Sequence, residues 1–168
     1  LPEPGTYICI HPGARMLTRR WPFERFARVA DRLAQQGWQI VLTGAPEEAE
    51  LTRAVKCAMT FPALDLAGKT SLGALAALIS RARMVVSNDT GISHVTAAAG
   101  TPSVVVCSGA DPQRWAPLDR ERHRVLAHAV ECRPCMHIHC PIGHPFALGV
   151  TVDAVMAQAE QLLDNDQR

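Results

Sequence analysis

Charge of one sign is what this sequence has least of. It carries 17 basic and 16 acidic residues, a formal net charge of +1 over 168 positions, so there is no bulk electrostatic case for nucleic acid. No apolar run approaches the roughly 18 residues that a membrane-spanning helix needs. No secretory signal opens the chain, and no internal repeat or low-complexity tract appears in it. An initiating Met is missing as well: Leu1-Pro2-Glu3-Pro4-Gly5 reads as a linker leading into a strand. The expectation is a C-terminal piece of a longer protein, with residues 1–6 as an interdomain linker and 7–168 as one domain.

What is present suits a folded domain. With 48% hydrophobic and 20% charged residues the chain is globular rather than disordered. A domain of this length buries roughly two-thirds of its extended-chain surface. Six cysteines are therefore not needed as staples. Cys9 and Cys107 sit inside apolar runs, Cys57 ends a helical pattern, and Cys132, Cys135 and Cys140 cluster. Without an export signal, reduced thiols in a cytoplasmic compartment are expected, free or peripheral at the inner membrane face.

Strand and helix signals alternate along the chain. Tyr7-Ile8-Cys9-Ile10, Gln39 to Thr43, Leu64-Asp65-Leu66, Met84-Val85-Val86 and Val104-Val105-Val106 read as strands. Between them, helical spacing follows Pro22 (Phe23, Phe26, Val29, Ala30, Leu33), heads from Glu47-Glu48, follows the Ser71 cap, and runs from Val95 to Ala99. A Pro-, His- and Cys-rich stretch spans 108–148, and a helix closes the chain over 151–163. This order predicts an α/β fold with a Rossmann-like, doubly wound parallel sheet. Ligands of such sheets sit off the carboxyl ends of the strands, here at loops 11–20, 44–48, 67–71 and 87–94.

Those loops hold the unusual chemistry. In Ser87-Asn88-Asp89-Thr90-Gly91-Ile92-Ser93-His94 a strand end and a glycine turn open a helix whose N–H groups are free to hold an anion. Thr90 adds a hydroxyl, and His94 lies one turn on. The same spelling also fits Asp89 as a plain helix N-cap. Gly13-Ala14-Arg15 through Arg19-Arg20-Trp21 places three arginines around an open loop, suited to a diphosphate or to solvent. Trp21-Pro22 reads as a packing anchor. Glu48 stands where a carboxylate meets ribose hydroxyls, or serves the helix dipole. Cys132-x2-Cys135 with Cys140 and His144 has the spacing of a compact Cys3His zinc site, of a disulfide pair on oxidation, or of a loop of reduced thiols.

Taken together, His11-Pro12-Gly13-Ala14, Arg19-Arg20-Trp21-Pro22, Leu42-Thr43-Gly44, Leu66 to Thr70, Asn88 to His94, Ala97 to Pro102, Trp115-Ala116-Pro117 and Cys132-x2-Cys135 resemble the C-terminal half of glycosyltransferase family 9, the lipopolysaccharide heptosyltransferases. Their order and spacing cover roughly 150 residues. The resemblance implies the donor-binding half of a two-domain GT-B enzyme. That enzyme would transfer heptose from ADP-heptose to the lipopolysaccharide inner core by direct displacement with inversion, without a metal or other cofactor. The catalytic base and the acceptor site would come from an N-terminal half that this chain lacks. Position by position, the resemblance assigns Asp89, Thr90, Gly91 and His94 to the diphosphate and sugar and Glu48 to the ribose. It assigns Thr70 to the adenine, Gly13 and Ala14 to the loop beneath the phosphates, and Arg19 to the leaving diphosphate, where the family often has Lys. Arg15 and Arg20 complete the cationic loop. Relatives with the Cys-x2-Cys loop often carry a further Cys near Phe146. Here His144 would have to replace it. A nucleotide-sugar epimerase of the GT-B type and a Cys/His zinc-binding interaction module are the alternative readings.

Overall fold

The computed structural model describes residues 2–142 and 148–165. Its strands form where β-branched and other apolar residues run without interruption, as strands covered on both faces must. These are β1 (Tyr7–His11), β2 (Gln39–Leu42), β3 (Ala63–Asp65), β4 (Met84–Asn88), β5 (Ser103–Val106) and β6 (His123–Leu126). All pair in parallel in the order β3-β2-β1-β4-β5-β6, the doubly wound sheet expected from the sequence. No described helix is long and apolar enough to cross a membrane.

Alternation along the strands sorts the core into two layers. Ile8, Ile10, Met84, Val86, Val104 and Val106 face α1 (Phe23–Gln35) and α6 (Val152–Asn165), where Phe26, Leu33, Val155 and Met156 are buried. Tyr7, Cys9, Val41 and Val85 face the other way, against Leu75, Leu78 and Ile79 of α3 (Leu72–Arg81) and Ile92 of α4 (Gly91–Ala98). Each large side chain so covered contributes about 1.5–3 kcal/mol. Between β2 and β3 runs α2 (Ala49–Ala58), and α5 (Pro112–Trp115) is a single turn after β5.

Three segments differ from the sequence reading. The stretch 108–148 is not all loop: His123–Leu126 is a sixth strand on the edge of the sheet. Its charged spelling, His-Arg-Val-Leu, suits a half-covered edge, and His123 is held by the Ser103 hydroxyl, 2.9 Å from its Nδ1. Helix α4 starts at Gly91 rather than Val95. The third strand runs one residue earlier than expected, over Ala63–Asp65.

One side chain joins the two halves of the sheet where their order reverses. Asn88, fully buried at the end of β4, accepts the Trp21 backbone N–H (2.9 Å) and donates to the Pro12 carbonyl (2.7 Å). It thereby closes both ends of the loop after β1. Trp21 completes the anchor. Its indole N–H donates to the Val150 carbonyl at 3.0 Å, and its ring meets Phe26 edge-on at 5.1 Å. Asn88→Ala leaves a buried N–H and a buried carbonyl without partners. Urea unfolding is expected to show a loss of about 2–4 kcal/mol. A loss well under about 1 kcal/mol would show that the loop is held by other means.

Candidate functional site

In a sheet of this order the crevice opens where the strands on either side of β1 and β4 lead their helices to opposite faces. His11 ends β1 and pairs in register with Ser87 of β4, so the loops after these two strands form its walls. A cavity of about 780 Å³ occupies the crevice, a size typical of small-ligand sites. Arg15, Arg20, Thr90 and Gly91 line one side, and Glu48 and Thr70 the other. Pro46, Leu72, Leu75, Ile92 and Val95 give it an apolar flank.

The arginine loop is closed on itself: Arg20 Nε donates to the Ala14 carbonyl at 2.8 Å. Ala14 is buried beneath this bond. Gly13 lies under the Glu48 carboxylate, and a Cβ at this position would collide with it. Gly91 has open space where a Cβ would project, which leaves room for a ligand to approach the start of α4. Thr90 precedes that helix and no side chain caps it. The first N–H groups of α4 are therefore without a side-chain cap, at an edge of the cavity that Thr90, Gly91 and Ile92 line.

Asp89 is not the N-cap that a plain reading allows. It is buried, with its N–H bonded to the Val106 carbonyl at 3.0 Å and its carboxylate 3.9 Å from the Cys107 thiol. Burial raises its pKa, against the lowering effect of Arg19 and then His94. Burial and Asp89 in turn push the Cys107 thiol up to about 12. Arg19 is thus turned toward Asp89 and Cys107 rather than lining the cavity, and its Nε is buried without a hydrogen-bond partner. His94 is exposed on α4, edge-on to Trp115 with centroids 6.2 Å apart.

The structure accordingly brings Arg15, Arg20, Glu48, Thr70, Thr90 and Gly91 to one cavity. Gly13 and Ala14 lie directly beneath it, Asp89 and Arg19 are set back from its wall, and His94 is exposed on α4 against Trp115. His11, which the sequence places at a strand end and at the head of the His11-Pro12-Gly13-Ala14 motif but not among the ligand-binding residues, lines the same cavity. It is buried, 3.0 Å from the Thr43 hydroxyl through Nδ1 and 3.7 Å from Glu48 Oε2 through Nε2. Desolvation lowers its pKa, opposed by Glu48. Its position at the carboxyl end of the strand beside the switch point was the available signal.

The cysteine loop makes structural contacts that its spacing does not announce. Cys132, Cys135 and Cys140 line a second cavity of about 310 Å³. Among the described residues, however, no three His, Cys, Asp or Glu side chains are grouped so as to hold a metal, and His144 lies outside those residues. The loop supports the arginine loop from behind. The His137 carbonyl accepts the Thr18 hydroxyl at 2.7 Å, Cys135 N–H donates to the Gly109 carbonyl at 2.7 Å, and Arg133 donates to the carbonyls of Cys107 and Ser108.

The sequence model of glycosyltransferase family 9 (heptosyltransferase) matches residues 3–145. The chain belongs to this family. Lipopolysaccharide heptosyltransferase 3 of Escherichia coli (strain K12) is 30% identical over 163 residues, which cover 95% of this chain and 47% of that protein. Lipopolysaccharide heptosyltransferase 1 of the same strain is 39% identical over 111 residues, 66% of this chain and 34% of its own length. Among solved structures, E. coli ADP-heptose lps heptosyltransferase II superposes with a TM-score of 0.85 at 26% identity, over 99% of this chain and 48% of that one. E. coli heptosyltransferase WaaC with ADP gives 0.72 at 27% identity, over 96% and 46%. The chain thus spans under half the length of these family 9 relatives, and its sheet corresponds to one half of their GT-B-like architecture.

The raised pKa of Asp89 has a consequence for stability. An acid whose pKa rises on folding is less stable ionised in the fold than in the unfolded chain. Its contribution therefore falls as pH rises through the carboxylate range and stays unfavourable at neutral pH. Asp89→Asn is expected to raise Tm at pH 7, with the gap to the unaltered chain narrowing as pH is lowered. Thermal unfolding across that range checks it, and a lower Tm at pH 7 would mean that the Arg19 attraction outweighs burial.

Proposed function

We propose that this chain is the donor-binding domain, residues 7–168 behind a linker at 1–6, of an inverting heptosyltransferase that uses ADP-heptose. The observation that carries this reading is the cavity itself, which sets two arginines and an uncapped helix start against a carboxylate across one crevice. A nucleoside diphosphate has the matching order of groups. Its anionic diphosphate suits Arg15, Arg20, Thr90 and the N–H groups of α4. Its ribose diol suits Glu48, and its base the apolar flank beside Thr70.

In glycosyl transfer the acceptor hydroxyl attacks the anomeric carbon while the bond to the diphosphate oxygen breaks. Negative charge grows on the leaving diphosphate. Cationic side chains and helix-end N–H groups preorganised around it stabilise that charge without a metal. Arg19 and Asp89 support this wall from behind, with Arg19's charge directed inward. The acceptor's proton needs a base, which in this reading belongs to an N-terminal half together with the lipopolysaccharide core site. The domain alone therefore binds the donor without transferring it, and the whole enzyme works in the cytoplasm at the inner membrane face. An epimerase or zinc-module reading is not favoured, since the relatives at 30–39% identity are heptosyltransferases.

Calorimetric titration tests the reading. ADP is expected to bind more tightly than UDP or GDP, and Arg20→Ala to weaken ADP by about tenfold, the loss of a charge-assisted contact. His137→Ala and His139→Ala are expected to leave ADP binding unchanged, because the His137–Thr18 bond uses the backbone carbonyl. Histidine variants as damaging as Arg20→Ala would move the site to the cysteine loop, and preference for UDP or GDP would overturn the ADP-sugar assignment.

A further inference from the structure

We propose that His11 is a positioning residue for Glu48: its Nε2–H faces one carboxylate oxygen and draws it inward electrostatically, so that the other is presented to the ribose diol of a bound nucleotide. The assignment rests on the donor-site reading above and deepens it.

The tautomer follows from the partners. Thr43 Oγ1 is 3.0 Å from His11 Nδ1, whereas its other acceptor, the Ile10 carbonyl, is 3.5 Å away. Nε2 faces the Glu48 carboxylate, where a lone pair would be repelled and an N–H attracted, so the proton is assigned to Nε2 and Nδ1 is left to accept from the Thr43 hydroxyl. Nε2 lies 3.7 Å from Glu48 Oε2. The same oxygen accepts the Ala45 N–H at 2.9 Å. Both contacts thus fall on Oε2, and Oε1 is the oxygen that the arrangement leaves for a ligand. Gly13 makes room for this: the carboxylate lies over its Cα, in space that any Cβ would occupy.

A neutral donor is the right kind of support here. An ammonium or guanidinium in the place of His11 would neutralise the carboxylate that must accept ligand hydroxyls. A buried imidazole fixes the carboxylate's direction and leaves its charge intact, and burial keeps this ring on the neutral side. Thr43, itself buried, prevents the ring from turning. The chain of support runs Thr43, His11, Glu48, ribose on the carboxyl side of β1 and β2, with a hydrogen bond between the first two and a longer electrostatic contact between His11 and Glu48.

The test separates the two ring nitrogens. His11→Asn keeps a group near Nδ1 for Thr43 and removes the donor facing Glu48. His11→Gln places an amide N–H near Nε2. Binding of ADP and of 2′-deoxy-ADP, which retains only one of the two vicinal hydroxyls, is measured by calorimetry on each variant. Thermal unfolding confirms that each is folded. The unaltered chain is expected to prefer ADP. His11→Asn should weaken ADP by about tenfold while 2′-deoxy-ADP changes little, so the preference collapses. His11→Gln should restore it, and in a Glu48→Gln background His11→Asn should add nothing. Equal weakening of both nucleotides in His11→Asn, or an unchanged preference, would overturn the positioning role while leaving the donor site standing. Failure of the unaltered chain to bind ADP at all would overturn the donor-site reading, and this assignment with it.

Discussion

The site depends on one buried amide. Where the sheet reverses order, β1 and β4 send their loops to opposite faces, and nothing in the strand pairing fixes how far those loops separate. Asn88 fixes it, by taking the Trp21 N–H with its oxygen and the Pro12 carbonyl with its nitrogen. Only a side chain with a donor and an acceptor on one rigid plane can hold both. The loop so pinned contains Gly13, Ala14, Arg15, Arg19 and Arg20, so the position of every cation near the crevice follows from that clamp. Burial strengthens it, since neither partner has water as an alternative.

Charge in the crevice is arranged at the expense of stability. Asp89 stays buried beside the Cys107 thiol with Arg19 nearby, and burial raises its pKa even so. Arg19 leaves a buried Nε unpartnered beside it. Neither would be kept for the fold's sake: an apolar pair of similar volume would pack there without desolvating two charges. Local rules broken without compensation mark functional sites more often than accidents. The mutual pull of Arg19 and Asp89 leaves Arg15 and Arg20 as the cations on the cavity wall, and the start of α4 supplies the remaining positive potential.

The legible part of the fold was the part governed by burial on both faces. Tyr7 to Ile10, Met84 to Val86 and Val104 to Val106 are continuous apolar runs, and nothing but central parallel strands accounts for them. Edge strand β6 was hidden because His123 and Arg124 follow the chemistry of a half-solvated edge, which in a single sequence looks like loop. The start of α4 was placed late because Gly91 and Ser93 are weak helix formers, used here to leave N–H groups open. At the site, the motif spellings located the loops, and Arg15, Arg20, Glu48, Thr70, Thr90 and Gly91 meet at one cavity. Spelling did not separate Arg19 from Arg20, since adjacent residues in a short 3-10 turn and its end point in different directions, and that turn, Leu17–Arg19, has no local signature. His11 was legible as a strand end and as part of a loop motif but not as a neighbour of Glu48, because that placement depends on Thr43 and Glu48, residues 32 and 37 positions away.

The cysteine loop shows the same distinction from the other side. Its spacing is what a metal site would need, yet its described contacts are made by backbone atoms and by Arg133, not by sulfur. Thr18 sits in the turn that orients Arg19, and it is held by the carbonyl of His137 and by its own N–H to the Ile138 carbonyl at 3.3 Å. Arg133 meanwhile ties the loop to the carbonyls that end β5, next to Cys107 and hence Asp89. The loop is therefore a brace between the turn that carries Arg19 and the chain leaving β5 beside Cys107. A brace of this kind acts through the direction of its carbonyls, so the side chains at 136–139 are free to vary in chemistry while its backbone path is not.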